Sequence, residues 1–266
     1  VDGVGTIDAS NTSDDHAVPV DPLTTERIEV LRGPAVLLYG SSAIGGAVNI
    51  IDKRIPRRPL DEPVHLDALA AFDSVNDQYQ VAGSVDAALG DYFVVHVDGS
   101  YRDAGNISIP GYVASDSLRS DLLADAAEEE AEGELDEADE LRELANQRGE
   151  LPNSGFETYS ANAGFAFFAG DSTLGASFGY YKSDYGVPER PGAGHHHHEE
   201  GGEGMIEEEE EEEGPVTIGM EQFRADLRGE LALGDGFFDR FVTRVGFSDY
   251  THTEFEGDEV GTVFDV

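Results

Sequence analysis

Cysteine is absent from all 266 residues, which removes any disulfide, thiolate metal ligand or thiol nucleophile. Cations are scarce: 16 Lys and Arg stand against 56 Asp and Glu, a formal net charge of −40. Nucleic-acid binding needs cationic footprints on phosphate, so no nucleic-acid partner is expected. The same charge fits cation binding, self-repulsion or life in high salt. Apolar residues make up only 39% of the chain, and no run approaches the roughly 20 residues of a membrane helix. No signal peptide opens the sequence, so if the protein is exported its leader is expected ahead of Val1. Catalytic motifs are missing too. There is no nucleophile elbow, and Gly45-Gly46 is not followed by the Lys-Ser/Thr of a phosphate loop. The expectation is therefore not an enzyme.

What is present is alternation. Val64, Leu66, Ala68, Ala70 and Phe72 share one strand face; Tyr79, Val81, Gly83, Val85, Ala87 and Leu89 share the next. Phe93, Val95, Val97, Gly99 and Tyr101 form a third, opposite His96, Asp98, Ser100 and Arg102. Further strands fit 156–169, 172–185, about 216–233 and 238–255, making about seven. Connections near Gly90, Gly170-Asp171 and Gly234-Asp235-Gly236 are short, while those at 103–155 and 186–215 are long and acidic. Short turns at one end, long loops at the other and strands of ten or more residues fit a transmembrane β-barrel. A soluble β-sandwich is the competing fold, because it alternates too. Within the first long loop, Asp116 to Gly149 has helical spacing at Leu118, Leu122, Leu141 and Leu144, with enough acid to read as a solvated helix. Glu207 to Glu213 is a like-charge run, expected to be disordered.

Residues 1–60 are different in texture. Thr25 to Leu31 reads as a strand stopped by Gly33-Pro34, and Ala47 to Ile51 as a second. The stretches Glu26-Arg27-Ile28-Glu29-Val30-Leu31-Arg32-Gly33-Pro34, Leu38-Tyr39-Gly40 and Ile44-Gly45-Gly46-Ala47-Val48-Asn49-Ile50-Ile51 resemble the plug-domain signature of TonB-dependent receptors. The resemblance implies a mostly β fold: the C-terminal part of a small α/β plug over 1–60, then over 61–266 the first strands of a partial antiparallel transmembrane β-barrel. It also implies a Gram-negative outer-membrane location, a lipid-facing wall and partnership with the inner-membrane TonB complex. The TonB-contacting segment and the front of the plug are expected ahead of Val1. Barrels of this kind have about 22 strands, so this stretch alone cannot close one.

A narrower resemblance, to the zinc-uptake branch, rests on Asp15-His16-Ala17, on Tyr185-Gly186-Val187-Pro188 followed by His195 to His198, and on Asp249-Tyr250-Thr251-His252-Thr253-Glu254. It implies Asp15 and His16 as plug ligands, Glu254 as a barrel ligand and His252 as a candidate, with a further His expected beyond Val266. Zinc favours such imidazole and carboxylate donors. His252 and Glu254 stand two apart on a strand and so share a face. Taken without the resemblance, an Asp-His pair is more often a loop or capping pair, and His252 and Glu254 fit a solvated rim equally well. His195, His196, His197 and His198, followed by Glu199 and Glu200, form a loop donor tract suited to unselective metal capture, or merely a solvated low-complexity loop. His65 and His96 are assigned no role. The expected activity is import of an extracellular metal ligand, zinc first, with no resident cofactor required. The alternatives are a siderophore or haem receptor, which would use aromatic or basic lumen residues although no Trp is present, and a passive porin-like barrel, which would lack a plug.

Overall fold

A computed structural model describes residues 1–3, 5, 16–33, 46–188, 214–234 and 236–266. Its main body is one antiparallel eight-stranded sheet in the order β12-β11-β10-β9-β8-β5-β4-β3. These strands are β3 Val64–Asp73, β4 Gln78–Ala88, β5 Phe93–Ala104, β8 Phe156–Ala169, β9 Ser172–Gly186, β10 Val216–Ala232, β11 Arg240–Glu256 and β12 Glu259–Asp265. Spatial order follows chain order, so the sheet is an up-and-down wall, and between its two edge strands it stays open. The period-two pattern places all seven expected strands to within about two residues, and β12 is an eighth that the pattern did not reveal.

Turns form where the backbone can reverse. Gly90, Gly170 and Gly234 have φ of 77°, 60° and 83°, a region that favours glycine, and all three sit at the same end of the sheet. At the other end β5 and β8 are joined by an excursion: β6 Ile107–Tyr112, α1 Asp116–Glu132, α2 Leu135–Asn146 and β7 Arg148–Leu151. The single solvated helix expected there is instead a helical hairpin with its own small core of Leu122, Ala126, Leu141 and Ala145. Gly133 at φ 100° ends α1, and its N–H bonds the Glu129 carbonyl. Ser115 caps the start by accepting from the Leu118 N–H. Neither helix is long and apolar enough to cross a membrane.

The amino-terminal segment contributes a two-stranded antiparallel sheet, β1 Thr25–Leu31 with β2 Ala47–Asp52. It packs on one face of the wall, and that face is polar. Asp98, Ser100, Thr158, Ser160, Ser177, Ser183, Gln222 and Arg224 are all buried there. The opposite face is apolar and exposed, with Val97 at 55%, Phe178 at 55% and Phe247 at 58%. A sheet that buries its polar face and exposes its apolar one is the inverse of a soluble sandwich, and is what a wall between lipid and lumen requires. The apolar face carries tyrosines, Tyr101, Tyr159 and Tyr180, toward the long-loop end, where aromatic girdles mark a membrane interface.

Candidate functional site

The segment 16–25 lies along the inner face of β5, β8, β9 and β11. The His16 ring meets the His252 ring of β11 with centroids 4.5 Å apart and planes tilted by 59°. The Ala17 N–H donates to the Tyr185 hydroxyl of β9 at 2.9 Å. His252 is buried, and its Nδ1 lies 3.1 Å from the Tyr250 hydroxyl two residues earlier on the same face. Around them Met220 and Tyr250 are buried and Tyr181, Tyr185 and Phe264 pack against them. This is an aromatic wall built from alternate residues of three neighbouring strands plus β12.

Asp21 makes the next attachment. Its Oδ2 accepts from the hydroxyls of Ser100 and Ser160, on β5 and β8, and its Oδ1 accepts from the Leu23 N–H at 2.9 Å. Its backbone carbonyl takes the Thr25 hydroxyl at 2.9 Å, which fixes the turn into β1. A small cavity of about 60 Å³ lies beside it, lined by Asp21, Asp52, Arg54, Tyr181, Gln222 and Arg224 among others. The third attachment is Arg54, whose guanidinium reaches Asp52 at 2.6 Å and Asp226 of β10 at 2.9 Å. Burial works against that charge, but Asp52 and then Asp226 more than offset the loss, so Arg54 holds its proton more firmly than in water.

The expected site residues divide as follows. His16 and His252 are brought into contact, from the two ends of the chain. Glu254 is half-buried on the same face of β11 as His252. Asp15 and the tract His195, His196, His197 and His198 lie outside the described residues. Among the described residues no three His, Asp or Glu side chains gather as a metal cage. His65 is exposed beside Asp67. His96, read as an ordinary polar lumen residue, is fully buried with one ring nitrogen 2.7 Å from Asp86 and the other 2.7 Å from Asp98. Sequence reasoning gave no role to Asp21, Arg54, Tyr181 or Tyr250. The tyrosines carried a signal, because Tyr181 and Tyr185 have the parity of the polar face, where an aromatic ring needs a reason to be.

Comparison with known proteins bears on the amino-terminal segment. Residues 1–47 match the TonB-dependent Receptor Plug Domain family. The chain is similar to the Ferric enterobactin receptor PirA of Pseudomonas aeruginosa, 69% identical over 35 residues, which is 13% of this chain and 5% of that receptor. It is similar to the Vitamin B12 transporter BtuB of Photobacterium profundum, 42% identical over 71 residues, 26% of this chain and 11% of the transporter. A Hemin receptor of Yersinia pestis is 46% identical over 48 residues, 18% of this chain and 7% of that protein. Among solved structures, the Ferric-Catecholate import receptor Fiu of E. coli K12 aligns with a TM-score of 0.37 at 14% identity, covering 91% of this chain and 44% of that one. The chain thus spans a small part of the curated relatives it matches. Over residues 1–47 it carries plug-domain sequence of the TonB-dependent receptors.

Proposed function

We propose that this chain is the plug end and first wall of a receptor that imports a metal chelate, of the ferric siderophore or haem class, with energy delivered through TonB. Its place is the Gram-negative outer membrane, and its exposed apolar face meets lipid. The reading is carried by one juxtaposition: plug-type residues His16 and Ala17 lie against an inner wall bearing Tyr181, Tyr185, Tyr250 and Phe264. Flat aromatic faces with hydroxyl handles suit catechol rings or a porphyrin, which need stacking area and a few oriented hydrogen bonds. Relatives named for ferric enterobactin and hemin favour the same class over bare zinc. No covalent change to the cargo is part of this reading.

The test is uptake by cells whose only receptor of this kind is the full-length protein. Radioiron-labelled enterobactin, hemin and radiozinc are supplied in turn, with and without TonB. TonB-dependent uptake of an iron chelate that falls in Tyr185→Ala and Tyr250→Ala variants is expected. Uptake of none of the three cargoes overturns the reading.

Zinc remains the second reading, and the His16–His252 contact favours it. Two imidazoles that close can share one ion if a carboxylate such as Glu254 or Asp15 completes the shell. In that case zinc affinity falls in acid, because protons compete with the metal for the imidazole nitrogens. Replacing His16 by Ala should then cost far more affinity than replacing His65. Equal zinc titrations for those two variants remove this reading and leave the chelate reading standing.

A further inference from the structure

The chain leaves β2 through Asp52-Lys53-Arg54-Ile55-Pro56 and crosses the inner wall. Three glycines lie under that crossing, Gly164 on β8 and Gly175 and Gly179 on β9. A methyl at Gly164 would overlap the Arg54 carbonyl oxygen, and one at Gly175 would overlap Ile55 Cγ2. At Gly179 it would stand 3.1 Å from an Arg54 guanidinium nitrogen. The wall therefore has a trough where the crossing chain sits, cut by the absence of side chains.

Other contacts fasten what the trough receives. Ile55 is buried among Val94, Ala166 and Phe168, with Leu60 packed against the group. Arg54 bridges Asp52 to Asp226. Arg228 of β10 donates to the Ile55 carbonyl at 3.0 Å and the Pro56 carbonyl at 3.4 Å. The attachment combines shape, apolar burial and a buried ion pair across four strands, β5, β8, β9 and β10. The segment before it is held differently. Asp21 meets serine hydroxyls, with the Arg102 guanidinium no nearer than 3.9 Å, and Ala17 meets a tyrosine hydroxyl; water replaces such hydroxyl partners readily once it enters. Drawing Ile55 out would expose apolar surface, and drawing Arg54 out would break its buried bridge to Asp226 and leave that carboxylate to Arg224 alone, a loss that water repairs less well.

We propose that Arg54, seated with Ile55 in the glycine trough, is the fixed end of the plug: a positioning residue that stays on the wall while residues 16–31 move during import. The inference rests on the import reading above. A load applied from the plug's front is transmitted to the β1–β2 sheet and stops where β2 meets the trough. The displaced segment then remains tethered beside its seat, so its return is an intramolecular step at high effective concentration.

Cysteine pairs in the full-length receptor test this, since the present stretch contributes no thiol of its own. Oxidised Ile55→Cys/Ala166→Cys, which leaves the trough glycines bare, is expected to keep uptake at the level of its reduced form. Oxidised Asp21→Cys/Ser100→Cys is expected to lose uptake to background and regain it on reduction. Blockade by the 55–166 link, or free uptake through the 21–100 link, overturns the proposal. The reduced receptors are the import control: if they carry no cargo, the import reading has failed, and the anchor is decided by hydrogen exchange on the purified receptor in mild denaturant. There, amides of 54–60 should stay protected while those of 17–31 exchange. Arg54→Ala should merge the two, and Arg54→Lys should restore part of the gap. Simultaneous exchange in the unmodified receptor sinks the anchor, whatever the cargo.

Discussion

Ser177 and Phe178 are neighbours in β9, yet Ser177 is 1% exposed and Phe178 is 55% exposed. The same inversion runs along β5, where Asp98 is buried and Val97 exposed. On the proposed reading one face of the wall is set by lipid hydrocarbon and needs only apolar bulk. The other is set by a particular segment of chain that lies on it. The outer face is therefore tolerant of which apolar residue it carries and intolerant of charge. The inner face depends on matched partners: Ser100 and Ser160 for Asp21, Asp226 for Arg54, and bare glycine for the Arg54 and Ile55 backbone.

The largest expected effect breaks the outer face. Phe178 is near the middle of β9, so Phe178→Arg places a cation near mid-membrane at a cost of about 2–4 kcal/mol. The folded, heat-modifiable fraction of the full-length receptor in outer membranes should fall sharply. An unchanged folded fraction would mean that this face does not meet lipid.

A smaller loss is expected from the opposite swap on the inner face. Ser160→Val removes a hydroxyl that donates to Asp21 and lies 3.0 Å from the Ser100 hydroxyl. A buried carboxylate short of a donor costs about 1–3 kcal/mol. The plug should loosen, with faster exchange of amides near Asp21, while the barrel still assembles. If Ser160→Val reduces assembly as much as Phe178→Arg does, the two faces do not differ in kind.

That asymmetry also explains what could be read in advance. Strands such as β8 and β9 were legible because alternation is local: Phe165, Phe167, Leu174 and Phe178 declare their face within a few residues. β12 was not, because Glu259 to Phe264 is short, begins directly after the Gly257-Asp258 turn, and pairs with β11 through a register slip at Glu254 and Phe255. The helical hairpin was half legible. Its leucines showed the period, but Gly133 looked no different from the many other glycines. His16 and His252 were named through resemblance, since nothing local in either end of the chain points at the other. Arg54 reads in the sequence only as the start of a basic, proline-broken linker, 54–59, with no role at a site. Its partners Asp226, Gly164 and Gly175 are spread over three strands, and each alone is an ordinary wall residue. Residues whose surroundings come from distant chain are the ones that alternation cannot supply.

The smallest expected effect sharpens the comparison by leaving the wall. The α1–α2 hairpin has neither lipid nor plug against it in the contacts described, so its stability rests on a thin core and on charge. The Glu129 carboxyl is pushed above its ordinary value, first by its partial burial and then by the carboxylates of Glu137, Glu132, Glu128 and Glu134. It also sits in the last turn of α1, where the helix dipole disfavours an anion. A raised carboxyl means that the folded hairpin binds a proton more readily than the unfolded chain. The stability that this proton adds is fully present in acid and is lost as pH rises through the raised value. A peptide spanning residues 113–148 should gain helical circular dichroism as pH falls from neutrality into the acid range. Added salt at neutral pH should produce part of the same gain by screening the repulsion. Glu129→Gln should raise helicity at neutral pH and flatten its pH dependence. A peptide whose helicity falls on acidification would show instead that its carboxylates are held by the ion pairs of Arg142 with Asp139 and Glu130, and that repulsion is not what limits the hairpin.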